Sequence, residues 1–299
     1  MHTPRQARPV ACLVAAAALV LLPACGDDPA SSAADADPTR PDADPTRPDA
    51  DPNAPDAGPT VVGPLPPANA PVDYQLGGAY PPPAGVMIVS RDRTAAPAAG
   101  LYNICYVNGF QIQPDEEALW LADHPDLILR DGQGNPVIDV DWNEMLIDVG
   151  TPAKREAVAV IVGGWIRGCV GAGYDAVEID NLDSFSRSGG RLAEADAVAA
   201  MRLFADAAHA AGVPIAQKNS AEIVGRRAEL GTDFVVAEEC NRYGECDVYT
   251  GAYGDAVIVI EYRRADFTVG CRDFPQLSIV LRDLDLVPAG AGGYVFEGC

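Results

Sequence analysis

The sequence predicts an α/β fold, a (β/α)8 barrel of the TIM type over residues 71–299, and three observations predict it. Strand-like apolar runs recur through that stretch with helix-length segments between them, the rhythm of successive βαβ units. Two of the runs, residues 174–181 and 234–240, end in carboxylates, and parallel α/β folds gather their chemistry at the C-terminal ends of strands. The stretch also has the length of one barrel-sized domain.

Residues 1–24 read as a secretory signal of the lipoprotein type. Arg5 and Arg8 precede a short apolar run over 10–22, and Leu22-Pro23-Ala24-Cys25 resembles a bacterial lipobox, which makes Cys25 the expected lipidated residue. The run is too short to span a membrane. Residues 25–70 read as a disordered tether rich in Asp and Pro. Asp35-Ala36-Asp37-Pro38-Thr39-Arg40-Pro41 recurs over 42–48 and decays over 49–55. Proline in every copy excludes a coiled coil, and so little apolar surface cannot offset the entropy of ordering. Part of the net charge of −22 belongs to this spacer. An acidic chain is a poor partner for nucleic acid, whose phosphates need a basic surface, and is compatible with a cationic substrate.

The eight cysteines agree with export. Cys12 leaves with the signal and Cys25 is the lipid candidate. Of the other six, Cys240 and Cys246 could close a small loop around Arg242 and Tyr243, and Cys271 and Cys299 could pin the C-terminus. Cys105, mid-strand, and Cys169, on a helix, read as readily as plain buried thiols.

In order, strand-like runs fall at 72–76, 86–90, 101–108, 145–149, 174–180, 213–219, 234–239, 256–262 and 278–282. Between the second and third, residues 94–100 are too short for an ordinary parallel crossover, so that connection is expected to be irregular. Thr151-Pro152 caps and starts a long helix. Nine runs exceed a barrel's eight, so 72–76 is assigned to a lead-in. The Asp180 run then becomes the fourth strand and the Glu238 run the sixth, and alternate strands of a closed barrel share layers. Two carboxylates would meet at one mouth.

Around them stand Asp148, Asn181, Lys218, Asn219 and Glu261, also at run ends. Opposed carboxylates with polar neighbours suit cleavage of a glycosidic bond, one giving a proton to the leaving oxygen and the other attacking or activating water. Glu178 and Asp183 flank Asp180 without the further oxygen ligands that a hard cation takes, so no metal or other cofactor is expected, and a metal-dependent hydrolase using Glu178, Asp180 and Asp183 stands as a rival reading. Lys218 could bind a hydroxyl and keep Asp180 ionised. Asp148 and Glu261 could read a substrate ammonium. Tyr74, Trp142 and Tyr243 could offer flat faces to sugar rings, whereas Tyr106 reads as core.

The ordered blocks Val177-Glu178-Ile179-Asp180-Asn181, Gln217-Lys218-Asn219, Ala237-Glu238-Glu239-Cys240-Asn241-Arg242-Tyr243 and Ile260-Glu261-Tyr262 resemble glycoside hydrolase family 114, the endo-α-1,4-polygalactosaminidases. The family motif Glu-Pro-Asp-Asn carries Ile179 in place of its proline, and the family's Asn-Glu-Gln-Cys is here Ala237-Glu238-Glu239-Cys240. The resemblance implies a (β/α)8 barrel with Asp180 as nucleophile or base and Glu238 as general acid. It implies a glycosidase acting on an α-linked galactosaminan-type polymer. The expected partner is thus a cationic amino-sugar polysaccharide. The protein is expected to be monomeric and exported, lipid-anchored to the bacterial cell envelope or secreted, and to meet the membrane only through its lipid anchor. The rival expectation is a non-catalytic carbohydrate-binding barrel at the cell surface.

Overall fold

The computed structural model describes residues 62–299. The expected signal (1–24), the lipidation site Cys25 and most of the expected tether lie outside the described residues. In chain order the first elements are β1 (Val72–Gln75), β2 (Ile88–Asp92), β3 (Tyr102–Asn108), β4 (Gln111–Ile112), α1 (Glu117–Asp123), β5 (Ile138–Asp139), β6 (Glu144–Leu146) and α2 (Pro152–Ala172). There follow β7 (Ala176–Asp180), α3 (Ser184–Arg187), α4 (Glu194–Ala210), β8 (Ile215–Lys218), α5 (Arg227–Leu230) and β9 (Phe234–Glu238). The chain ends with α6 (Cys240–Tyr243), α7 (Cys246–Tyr253), β10 (Val257–Glu261), α8 (Arg264–Asp273), β11 (Ser278–Arg282) and β12 (Phe296–Gly298).

One sheet has the order β1-β2-β3-β7-β8-β9-β10-β11-β12, parallel throughout except for the last pair. It curls into a nearly closed barrel. At the seam between β11 and β1 the buried Arg282 guanidinium donates to Asp73 at 3.0 Å and to the Tyr74 carbonyl.

Two assignments from sequence are corrected. Residues 72–76 are not a lead-in: β1 pairs with β2 from Val72↔Ile88 to Gln75↔Arg91 and is the first barrel strand. Residues 145–149 are not a barrel strand. β6 lies between β4 and β5 in a separate antiparallel sheet, which occupies both its edges, while β3 pairs directly with β7. One error offsets the other, so β7 remains fourth and β9 sixth.

The expected irregular connection is present: no helix joins β2 to β3. The Asn103 side chain ties that loop instead, accepting from Ala98 N at 2.6 Å and donating to the Ala98 and Leu101 carbonyls. Phe296 covers the outer face left without a helix, packing on Val86, Val89 and Ala98. Residues 62–70, placed in the tether by composition, lie on the barrel. Gly63 N donates to Gly212 O, Tyr102 Oη donates to Pro64 O, and Ala70 N donates to Ser278 Oγ. These contacts fall at or just before the starts of β8, β3 and β11, so the segment crosses the barrel's N-terminal face.

α2 begins where its capping chemistry says, with Thr151 accepting from Lys154 N and Pro152 in the first turn. Gly173, at φ 100°, ends it in the left-handed conformation that glycine adopts without strain. Its buried face, Val158, Val162, Ile166 and Cys169, follows helical spacing and packs on the sheet. Cys105 faces outward from β3 and is bonded to Cys169, so neither is a free thiol; Cys240–Cys246 and Cys271–Cys299 are paired as the sequence suggests. The Cys105–Cys169 bond closes a 64-residue separation. On the chain-entropy account it contributes about 4 kcal/mol. The double Ala variant is expected to melt several degrees below wild type in a thermal scan, and an unchanged Tm would refute that contribution.

Candidate active site

Strand parity decides which side chains reach the barrel mouth. Val177 and Ile179 of β7 pack outward, whereas Ala176 packs inside, so Glu178 and Asp180 point inward as well. The same alternation turns Lys218 of β8 and Glu238 of β9 inward, above Ala216 and above Phe234 and Val236. Register sets their heights: Asp180 pairs with Asn108, and Glu238 with Ile260.

The centre of the constellation is the Lys218 ammonium, 2% exposed. Its Nζ lies 2.9 Å from Glu238 Oε2 and 3.5 Å from Asp180 Oδ1, and it donates to Tyr74 Oη at 3.0 Å. Each carboxylate has further donors. Tyr106 Oη donates to Asp180 Oδ2 at 2.8 Å. Asn219 Nδ2 donates to Glu238 Oε2 at 3.1 Å, its Oδ1 accepts from Glu238 N at 2.7 Å, and Tyr262 Oη donates to Glu238 Oε1. Below the floor, Tyr74 Oη donates to Glu178 Oε1 at 2.7 Å.

This crowding shifts the proton equilibria. Burial alone would raise the Glu238 carboxyl, but the Lys218 charge and the bonds from Tyr262, Lys218 and Asn219 outweigh it and hold it below the ordinary glutamate value. Burial alone would lower Lys218, yet Asp180, Glu238 and Glu178 raise it above the usual lysine value. Burial pushes Glu178 up to about 7, against the opposing pull of Lys218 and Tyr74. Burial likewise lifts Glu144 to about 7 at the edge of the cleft, where Asn108 donates to it.

The strand tops turn away sharply. Asn181 (φ 66°), Asn219 (φ 49°) and Glu239 (φ 56°) each directly follow a site residue and each take the left-handed conformation. Asparagine tolerates it; Glu239 holds it at a cost. The resulting cleft of about 780 Å³ is lined by both central carboxylates and by Glu144, Asp183, Glu222, Glu239, Glu245 and Asp285, against Arg187 and Lys218 as its cations. Trp142 (65% exposed) and Tyr243 (60% exposed) lie along its walls.

Asp180, Glu238, Lys218, Asn181, Asn219 and Tyr243 therefore share one cleft. Three expected substrate contacts do not reach it. Tyr74 is fully buried beneath Lys218 and offers no face to a sugar. Asp148 accepts from Gly150 N and pairs with Lys154 in the turn that starts α2, because its segment left the barrel for the small sheet. Glu261 has the outward parity of β10 and is buried, accepting from Asn241 N and Nδ2 at 2.9 and 3.0 Å. Tyr262, one residue on, takes the inward place. Sequence reasoning misses Tyr262, Glu178 and Glu144 as site residues and places Tyr106 in the core. Parity counted from Asp180 and Ile260 carries the signal for Glu178 and Tyr262; Glu144 arrives from outside the barrel, where parity says nothing.

Solved structures that share the fold include the following two. The Aspergillus fumigatus Ega3 structure, in complex with galactosamine, matches with TM-score 0.63 and 22% identity over 80% of this chain and 98% of that one. The glycoside hydrolase domain of PelA from Pseudomonas aeruginosa matches with TM-score 0.51 and 17% identity over 74% and 97%. No curated protein sequence matches. The profile of glycoside-hydrolase family GH114 matches residues 52–299, most of the chain, and to that family the protein belongs.

Proposed function

We propose that this glycoside hydrolase cuts an α-linked, galactosaminan-type amino-sugar polymer, with Asp180 as nucleophile and Glu238 as general acid. The observation that carries the reading is the pair of carboxylates from the fourth and sixth strands held on one buried ammonium at the barrel mouth. Asp180 Oδ1 and Glu238 Oε2 contact the same ammonium at 3.5 and 2.9 Å. Two carboxyls that share one small cation are the close arrangement of a retaining pair, about 5–5.5 Å apart, and retention is assigned on that ground.

In the first half-reaction Asp180 attacks the anomeric carbon as Glu238 gives its proton to the leaving oxygen. Tyr106 and Lys218 hold Asp180 in place. Once Asp180 is esterified it has lost its charge, and Lys218 then neutralises Glu238, the carboxylate that takes a proton from the incoming water. One ammonium thus serves one carboxylate in each half-reaction. Ega3 was solved with galactosamine, and the acidic lining of this cleft suits an amino sugar carrying a positive charge. Trp142 and Tyr243 offer ring platforms along an open cleft, as an enzyme cutting within a chain needs.

Export and lipid anchoring through Cys25 belong to the same proposal, as does a monomer. Three disulfides among the described residues support an oxidising compartment. Residues 62–70 meet the barrel on the face opposite the cleft, so a tether there would leave the mouth free. Incubation with de-N-acetylated galactosaminan, followed by product sizing, is expected to yield short oligomers whose new ends appear first as the α-anomer by NMR. Intact polymer would overturn the substrate assignment, and an initial β-anomer would overturn retention.

A further inference from the structure

We propose that Glu178 is a positioning residue for the general acid: through Tyr74 and Lys218 it keeps within the site the proton that Glu238 delivers. The proposal rests on the role given to Glu238 above. Glu178 is fully buried and does not line the cleft, so it touches no sugar. It is joined to Glu238 by an unbroken chain across four strands. Glu178 Oε1 lies 2.7 Å from Tyr74 Oη, Tyr74 Oη lies 3.0 Å from Lys218 Nζ, and Nζ lies 2.9 Å from Glu238 Oε2. Glu178 Oε2 has no hydrogen-bond partner among the described residues. A buried carboxylate with one oxygen unserved is costly when ionised and far less so when it carries a proton.

The titratable groups facing Glu178 come from five strands: Tyr74 of β1, Tyr106 of β3, Asp180 of β7, Lys218 of β8 and Glu238 of β9. Three carboxylates therefore surround one ammonium. Like charges this close do not all ionise together, so the cluster retains a proton near neutrality. In the open cleft that proton rests on Glu178, because Glu238 has the better donors. A sugar that covers Glu238 and excludes water reverses the preference. Lys218 then gives one proton to Glu238 Oε2, and the neutral amine left behind turns its lone pair to Tyr74 and takes the phenol's proton as Tyr74 Oη takes the one on Glu178. The phenol and the ammonium end as they began; one acid has become a carboxylate and one carboxylate an acid.

The test is a titration of the folded protein carrying 13C at its glutamate side-chain carboxyls, with signals assigned by variants because a coupled pair titrates jointly. In Glu178→Gln the titration step near pH 7 is expected to vanish while the low Glu238 midpoint stays in place, because Glu178 is already neutral where Glu238 titrates. The alkaline limb of kcat/KM on de-N-acetylated galactosaminan is expected to fall by about one pH unit or more, with kcat affected more than KM, since the stored proton is gone. A wild-type Glu178 with no midpoint near 7 overturns the proposal whatever the substrate is, and an alkaline limb that stays in place in an active, folded variant does so as well. A wild type inactive on that polymer overturns the substrate reading alone. Tyr74→Phe keeps every charge and removes the bridge. Its Glu178 midpoint is expected to rise above about 7 on losing the phenol's hydrogen bond, with kcat down at least about tenfold. Wild-type kcat in Tyr74→Phe overturns the bridge, and this variant decides the matter if Glu178→Gln does not fold.

Discussion

Asp180→Asn is expected to lower kcat by roughly 10⁴-fold or more while the protein stays folded. An amide carries no charge and its oxygen is a far weaker nucleophile than a carboxylate's, and the first half-reaction has no substitute for Asp180. The fold survives because the substitution keeps size and shape at the strand top. The amide oxygen of the variant still accepts from the Tyr106 hydroxyl, and Lys218 keeps Glu238 at 2.9 Å. Release of reducing ends measures the activity, and a thermal scan measures the fold. Undiminished turnover would remove Asp180 from the mechanism. A wild type and a variant that bind sugar equally well and cleave nothing would revive the non-catalytic binding barrel.

Lys218→Met carries the second largest effect and acts on stability as well as rate. Met matches the side chain in length but leaves Asp180, Glu238 and Glu178 without their shared cation. Removing one partner from a buried charge cluster costs about 3–5 kcal/mol. The sign with pH follows from Glu238, whose carboxyl is held low in the folded protein. A group of that kind stabilises above its unfolded value of about 4.3 and loses that contribution as pH falls. Without Lys218 the carboxylates repel one another and take up protons more readily, so the deficit is expected to be largest at pH 8 and to shrink towards pH 5. Urea unfolding at both values checks this, and a deficit independent of pH would show that Lys218 acts by packing alone. The rate is expected to fall about 10²-fold, since each half-reaction loses the charge that balances its carboxylate.

The carboxylate pair was legible because a parallel strand leaves a plain trace: a short apolar run, a polar residue at its end, then a helix. Asp180, Lys218 and Glu238 each stand at such an end, and each reached the cleft. Glu261 shows where the trace misleads. It too closes an apolar run, but one residue out of step with the interior positions Ile258 and Ile260, and a one-residue offset sends a side chain to the opposite face of a sheet. Asp148 fails for another reason. Its run has the composition of a barrel strand, and only the competition between β6 and β7 for the edge of β3 settled which of them entered the barrel.

Composition and order alone determined the α/β class and which acids close parallel strands, and suggested two of the three cysteine pairs, because those depend on local pattern and on spacing along the chain; the fourth and sixth places came out right because two misassignments cancelled. Tertiary structure decided what spacing cannot express. It brought Glu144 to the cleft from a separate sheet, joined Cys105 to Cys169 across 64 residues, and set Tyr74 under Lys218 from a strand 144 residues away. Closure of the barrel brings Tyr74 of β1 within reach of β8, packing of α2 on β3 joins the two cysteines, and the small sheet carries Glu144 to the mouth, so chain distance has no part in who becomes a neighbour.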